Sequence, residues 1–171
     1  INFSDDGQKL LFNVASDRDP GSFYIYDRHT GKADLLFANM SGIEPDQMAA
    51  RKPILFKSRD GKDITGYLTM PNNANQKKLP LVLLPHGGPI GVDDSWYFDT
   101  DAQFLASRGY AVLQVNFRGS SSRGPRFENE GAREFGGKMI DDLVDGLKWA
   151  NTQAEIDSNR VCVFGVSYGG Y

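Results

Sequence analysis

The sequence predicts an α/β fold, a mostly parallel sheet flanked by helices, with a short antiparallel β segment ahead of it. Three observations carry that expectation. Near residue 50 the chain changes from short aromatic and β-branched runs, split by Asp, Gly and Pro, to longer apolar runs. From residue 79 those runs alternate with stretches of helical spacing, the strand–helix–strand order of a parallel sheet. The last run, "RVCVFGV", leads into glycines that flank a serine, "GVSYGGY", as a tight strand-to-helix turn requires.

The first segment, residues 1–48, contains "KLLFNVA", "SFYIYD" and "ADLLFA", separated by "SDRDPG" and "DRHTGK". Runs of this length bounded by turn formers read as an antiparallel meander. Gly31 is placed for a positive φ in the second hairpin loop, and His29 beside it reads as a solvated turn residue. "SGIEPDQMAARKP" reads as a linker or crossing segment. The second domain, residues 49–171, opens with a hairpin, "KPILFKS" and "DITGYLTM" joined by "RDGK".

"LPLVLLPH" is a near-continuous apolar run, which suits a strand buried on both faces. A helix follows over "FDTDAQFLASRG", with Phe98, Ala102, Leu105 and Ala106 at helical spacing and Gly109 to end it. "YAVLQVNF" is the next strand. Residues 139–151 form a second helix whose inward stripe is expected to be Ile140, Leu143, Val144, Leu147 and Asn151. Asp141 and Asp142 near its start and Lys148 near its end suit the helix dipole. The final strand is 160–166, with Cys162 expected as a small buried hydrophobe.

Gly165-Val166-Ser167-Tyr168-Gly169 fits G-x-S-x-G. A serine hydroxyl is a weak nucleophile and must be presented to a base with its neighbours out of the way. A strained turn presents it, and glycines at −2 and +2 leave room where a Cβ would collide. Ser167 is therefore the candidate nucleophile. Acyl transfer also develops an oxyanion, best met by two preorganised N–H groups. One would come from the residue after the nucleophile, Tyr168. The other would come from the glycine loop "HGGP" that ends the strand 81–85, with Gly88 the first choice and Gly87 the alternative. His86 precedes the serine and sits in that loop, the wrong order for the catalytic base, so its expected role is to hold the loop through ring hydrogen bonds. Arg118, in "NFRGSSSRGPRFENEG", could bind a substrate carboxylate or pin its loop to neighbouring carbonyls.

Composition excludes several other classes. Net charge is −3, with no stripe of Lys and Arg, so neither nucleic acid nor an anionic membrane surface is expected as a partner. No apolar run approaches the ~18 residues that a membrane helix needs. One cysteine and two distant histidines, His29 and His86, offer no metal-ligand spacing. Compartment and oligomeric state stay open. Only four residues follow Ser167, so the sequence reads as the front part of a longer hydrolase, with base and orienting acid expected beyond residue 171. Expressed alone, such a piece is expected to be inactive and poorly packed.

"HGGP", "RGYAVLQVNFRGSSSRG", "DDLVDGLKWA" and "GVSYGGY" together resemble the prolyl oligopeptidase family of serine peptidases, most closely its acylaminoacyl-peptidase and dipeptidyl-aminopeptidase branches. The resemblance implies an α/β-hydrolase domain over residues 49–171, preceded in 1–48 by the end of a β-propeller. It implies cofactor-free hydrolysis of oligopeptides by a Ser-Asp-His triad, with Ser167 as nucleophile and the Tyr168 and Gly88 amides as oxyanion donors. A carboxylesterase-type hydrolase and a non-catalytic propeller–hydrolase binding protein remain alternatives, because fold does not fix function.

Overall fold

The structure, a computed structural model, describes residues 1–72 and 78–171. They form two compact units: Ile1–Met48 with Tyr97–Thr100, and Ala49–Trp96 with Asp101–Tyr171.

The first unit is a four-stranded antiparallel sheet in sequence order, β1 (Asn2–Phe3), β2 (Lys9–Val14), β3 (Ser22–Asp27) and β4 (Lys32–Ala38). Cross-strand aromatic pairs stabilise it, Phe12 on Tyr24 and Phe23 on Phe37. In the β3–β4 hairpin Asp27 Oδ1 accepts the amide hydrogens of His29 and Thr30, and Gly31 turns the chain at φ 69°. His29 is exposed there.

The second unit is built on a five-stranded mixed sheet. Its strands are β5 (Arg51–Lys57), β6 (Asp63–Thr69), β7 (Leu79–Leu83), β8 (Ala111–Asn116) and β9 (Ile156–Val163), in the order β5-β6-β8-β7-β9. β5, β6 and β8 are antiparallel, whereas β7 runs parallel to both β8 and β9. Helix α1 (Thr100–Ser107) connects β7 to β8, α2 (Pro125–Asn129) is a short turn in the long loop after β8, and α3 (Lys138–Ala150) returns the chain to β9. β8 is buried along its whole length, as its neighbours on both edges and both faces require. The main core joins Phe56, Ile64, Leu81, Leu113, Phe117 and Met139 under α3, and α1 covers the other face with Ala102 against Leu84 and Val112.

Two expectations are corrected. The residues that α3 buries are Met139, Asp142, Leu143, Asp145, Gly146 and Ala150, a set centred away from the expected apolar stripe. A Cβ on Gly146 would come within 2.8 Å of Val115 Cγ2, so this glycine lets the helix close onto the sheet. Leu143 alone of the stripe is fully buried, and Asn151 is exposed. Ile140 and Leu147 pack half-buried against the edge of the main core, and with the exposed Val144 they line an apolar groove of about 570 Å³ shared with Val163, Phe164 and Tyr171. The second correction is Cys162, which is exposed. β9 starts earlier than expected and pairs only with β7, so among the described residues no strand covers its outer edge. Val161 and Val163 are exposed for the same reason.

Candidate active site

The parallel strands β7 and β9 deliver two loops to the same end of the sheet, where α/β folds place their ligands. After β9 the Phe164 amide still donates to Leu83 O at 3.0 Å, and Val166 remains extended. The chain then reverses at Ser167, whose φ of 59° lies in the left-handed region, and enters a single 3₁₀ turn, Ser167–Gly170. A serine held in that region costs about 1–3 kcal/mol and persists only where its surroundings impose it.

The flanking glycines impose it. A Cβ on Gly165 would lie 2.4 Å from Gly169 O, and a Cβ on Gly169 would lie 2.2 Å from Pro85 O. Both obstacles are backbone, so neither position admits a side chain. The second contact also presses the turn against the loop at 85–89. There, a Cβ on Gly87 would sit 3.5 Å from Ser167 Cβ and 4.0 Å from its Oγ. The glycine loop and the serine hydroxyl are thus neighbours across a gap of atomic dimensions.

Gly88 adopts φ 116°, a conformation that favours glycine. Among the described residues no protein acceptor takes the amide hydrogen of Gly88 or of Tyr168. The Tyr168 ring is held away from the serine: its hydroxyl donates to Phe135 O, and the ring packs on Phe117 and edge-on to Phe135. That leaves its backbone N–H as the group it can offer beside Ser167.

His86 holds the loop, as its sequence position suggests. Its Nδ1 is 2.8 Å from Gly87 O, its Nε2 is 2.9 Å from Ser120 Oγ, and its ring stacks on Phe117 at 4.3 Å. Burial lowers its pKa, outweighing the Gly87 carbonyl and the Asp93 charge that favour protonation, so the imidazole is neutral near pH 7.

Arg118 is buried and takes neither of the partners considered from sequence. Its amide and guanidinium donate to Asp142 at 2.6–2.9 Å, and its outer nitrogens donate to Asp60 at 2.7 and 3.0 Å. These hydrogen bonds hold the Asp60 carboxyl far below the usual carboxylate range and raise the pKa of Arg118. The arginine fastens the loop after β8 to carboxylates of α3 and of the β5–β6 turn, not to carbonyls, with four of its five guanidinium N–H groups engaged in those bonds. Sequence reasoning missed Ser120, Phe117 and Phe135 as neighbours of the site. The run "NFRGSSS" was the available signal, since a Gly/Ser-rich loop after a buried strand offers many backbone and hydroxyl donors. Among the described residues no cluster of His, Cys, Asp or Glu could hold a metal ion. No helix among them is long and apolar enough to cross a membrane.

Residues 96–171 match the Prolyl oligopeptidase family. The chain belongs to that family. Dipeptidyl aminopeptidase BIII of Pseudoxanthomonas mexicana is 42% identical over 89% of the chain, which covers 23% of that relative. The Pyrococcus horikoshii acylaminoacyl peptidase matches in structure over 96% of the chain and 26% of its own, with a TM-score of 0.77 and 26% identity. A puromycin-hydrolyzing peptidase of Mycobacterium tuberculosis has the same fold, with a TM-score of 0.81 over 96% of the chain and 26% of its own, at 22% identity. The chain therefore has the α/β-hydrolase architecture of prolyl oligopeptidases, and it spans about a quarter of the length of the curated relatives it matches.

Proposed function

We propose that the protein carrying this chain is a serine peptidase that hydrolyses peptide bonds of oligopeptides, with Ser167 as the nucleophile and the amides of Tyr168 and Gly88 as oxyanion donors. The observation that carries this reading is Ser167 at φ 59° between two glycines that tolerate no Cβ, beside the 85–89 loop. In the reaction the serine Oγ attacks the scissile carbonyl carbon as a base removes its proton. The carbonyl oxygen becomes an oxyanion between the two amides, and collapse expels the amine and leaves an acyl-enzyme for water to cleave. The base and the acid that orients it are assigned to sequence beyond residue 171, following the order serine, acid, histidine of this fold.

A fluorophosphonate should label Ser167 in the whole protein. Ser167→Ala should abolish both labelling and cleavage of short peptides while leaving the fold intact, since only binding and the oxyanion hole remain. Robust peptide turnover by the alanine variant defeats the assignment, and turnover of esters without peptides identifies the protein as an esterase.

A further inference from the structure

We propose that Ile90 is a positioning residue for the reaction: its δ-methyl sits in a socket formed by Gly119, Gly131 and Met139, and so sets where the Gly88 N–H stands. The proposal rests on the reading of Gly88 as an oxyanion donor and adds what places it.

The socket exists because two glycines lie side by side. A Cβ on Gly119 would be 3.1 Å from Ile90 Cδ1, and one on Gly131 would be 2.9 Å from the same atom. Either carbon would also strike Met139 Cε, and the one on Gly131 would come within 2.6 Å of Gly119 Cα. The space that two side chains would occupy is thus filled by the Ile90 tip and the Met139 methyl. Its walls do not yield easily, since they are two glycine backbones and a fully buried methionine. Ile90 keeps 36% of its surface exposed, so it is the tip of the side chain that is seated.

Gly88 leans on the segment that Ile90 begins. A Cβ on Gly88 would lie 3.1 Å from Val92 Cγ2 and 3.3 Å from Ile90 N. Gly88 itself is exposed, whereas Pro89, the only residue between it and Ile90, is buried and has its φ fixed by its ring. A shift of Ile90 is therefore passed to Gly88 through one stiff residue. Farther along, the Gly91 amide donates to Gly119 O at 3.0 Å, and Val92 O accepts the Ser121 amide hydrogen at 3.2 Å. Among the described residues no hydrogen bond holds the Ile90 backbone, so the seated side chain is the hold nearest Gly88 on this side of the loop.

A side chain that only packs would change thermal stability and leave kcat alone, whereas one that places an oxyanion donor acts on kcat and spares KM. Ile90→Val removes the seated methyl, Ile90→Ala empties the socket, and Ile90→Met can return a terminal methyl to it. In the whole protein, with a short peptide as substrate, Ile90→Ala should lose about tenfold in kcat at nearly unchanged KM, less than the ~10²–10³ lost with a donor removed outright. Ile90→Val should fall between wild type and Ile90→Ala, and Ile90→Met should recover most of the loss. A peptide aldehyde, which adds to Ser167 to give a tetrahedral adduct, should lose affinity in step with kcat/KM, while a product peptide binds as before. Gly131→Ala, whose Cβ takes the room of the Ile90 tip, should lower kcat with Ile90 intact; should that variant fail to fold, the Ile90 series decides. An unchanged kcat in Ile90→Ala, a loss confined to KM or to thermal stability, or an Ile90→Met no better than Ile90→Ala overturns the proposal. Fluorophosphonate labelling of wild-type Ser167 is scored first: its absence sinks the reading of the site, whereas a labelled protein indifferent to Ile90 sinks this inference alone.

Discussion

The buried pair between Arg118 and Asp142 allows a prediction with a magnitude. Asp142 is wholly buried and accepts three hydrogen bonds from Arg118, from its amide at 2.9 Å, from Nε at 2.8 Å and from Nη2 at 2.6 Å. Asp142→Ala therefore strands a guanidinium whose side chain is 3% exposed, leaving it Asp60, a carboxylate that is 41% exposed. Breaking a buried pair from one side typically costs about 3–5 kcal/mol, because the remaining charge is uncompensated. The retained Asp60 bonds place the expected loss near the lower end, about 3 kcal/mol. Arg118→Met with Asp142→Leu removes both charges at similar volume, so the double variant should recover at least half of that loss. The assay is urea unfolding of the whole protein, with the midpoint and its slope read for the wild type and each variant. A loss below about 1 kcal/mol in Asp142→Ala, or a double variant worse than the single one, would refute the view that an unpaired buried charge is the cost.

Two further predictions use contacts around the same unit. Gly169→Ala should cut kcat/KM on the order of 10²-fold, because its Cβ would meet Pro85 O at 2.2 Å and push the serine away from the 85–89 loop; unchanged phosphonate labelling would refute this. Asp145 has a pKa lowered from 3.8 to about 2: burial pushes it up, but the Arg59 side chain and amide, with Lys148, outweigh burial. A depressed carboxylate pKa stabilises the fold above the unfolded value, here by about 2 kcal/mol, and that stability is lost as pH falls from about 4 toward 2. The stability gap between wild type and Asp145→Asn should therefore narrow over that interval, and a gap independent of pH would contradict the assignment.

The elements and the serine turn were legible in the sequence for local reasons. Strands and helices announce themselves by period, and the flanking glycines follow from a turn so tight that a Cβ on Gly165 or Gly169 would lie 2.4 or 2.2 Å from a backbone oxygen. The buried face of α3 was not legible. Hydrophobic period selects Ile140, Val144 and Leu147, yet Asp142 is the side chain drawn inward, because Arg118, 24 residues earlier, waits beneath it. No local pattern carries a pairing over that separation. Cys162 was misjudged for a related reason, since the burial of a strand residue depends on how many strands flank it, and β9 has one neighbour among the described residues.

The same loop that hid α3's orientation explains how the glycine-rich loop at 85–89 keeps its shape. Residues 87 and 88 have no side chains with which to fasten themselves, so an adjacent segment must hold them. Residues 117–121 supply that hold. The Phe117 ring carries His86, the Ser120 hydroxyl meets its Nε2, Gly119 O receives the Gly91 amide at 3.0 Å, and the Ser121 amide reaches Val92 O at 3.2 Å. The opposite side of the segment is tied down by Arg118 through Asp142 and Asp60. A Cβ on Gly119 would strike Met139 Cε at 2.6 Å, so the segment also lies too close to α3 to shift toward it. Loosening the ion pair should therefore reach the 85–89 loop through Ser120 and Gly119, and, with Gly88 as the proposed oxyanion donor, the stability lost in Asp142→Ala should be accompanied by a fall in kcat at constant KM.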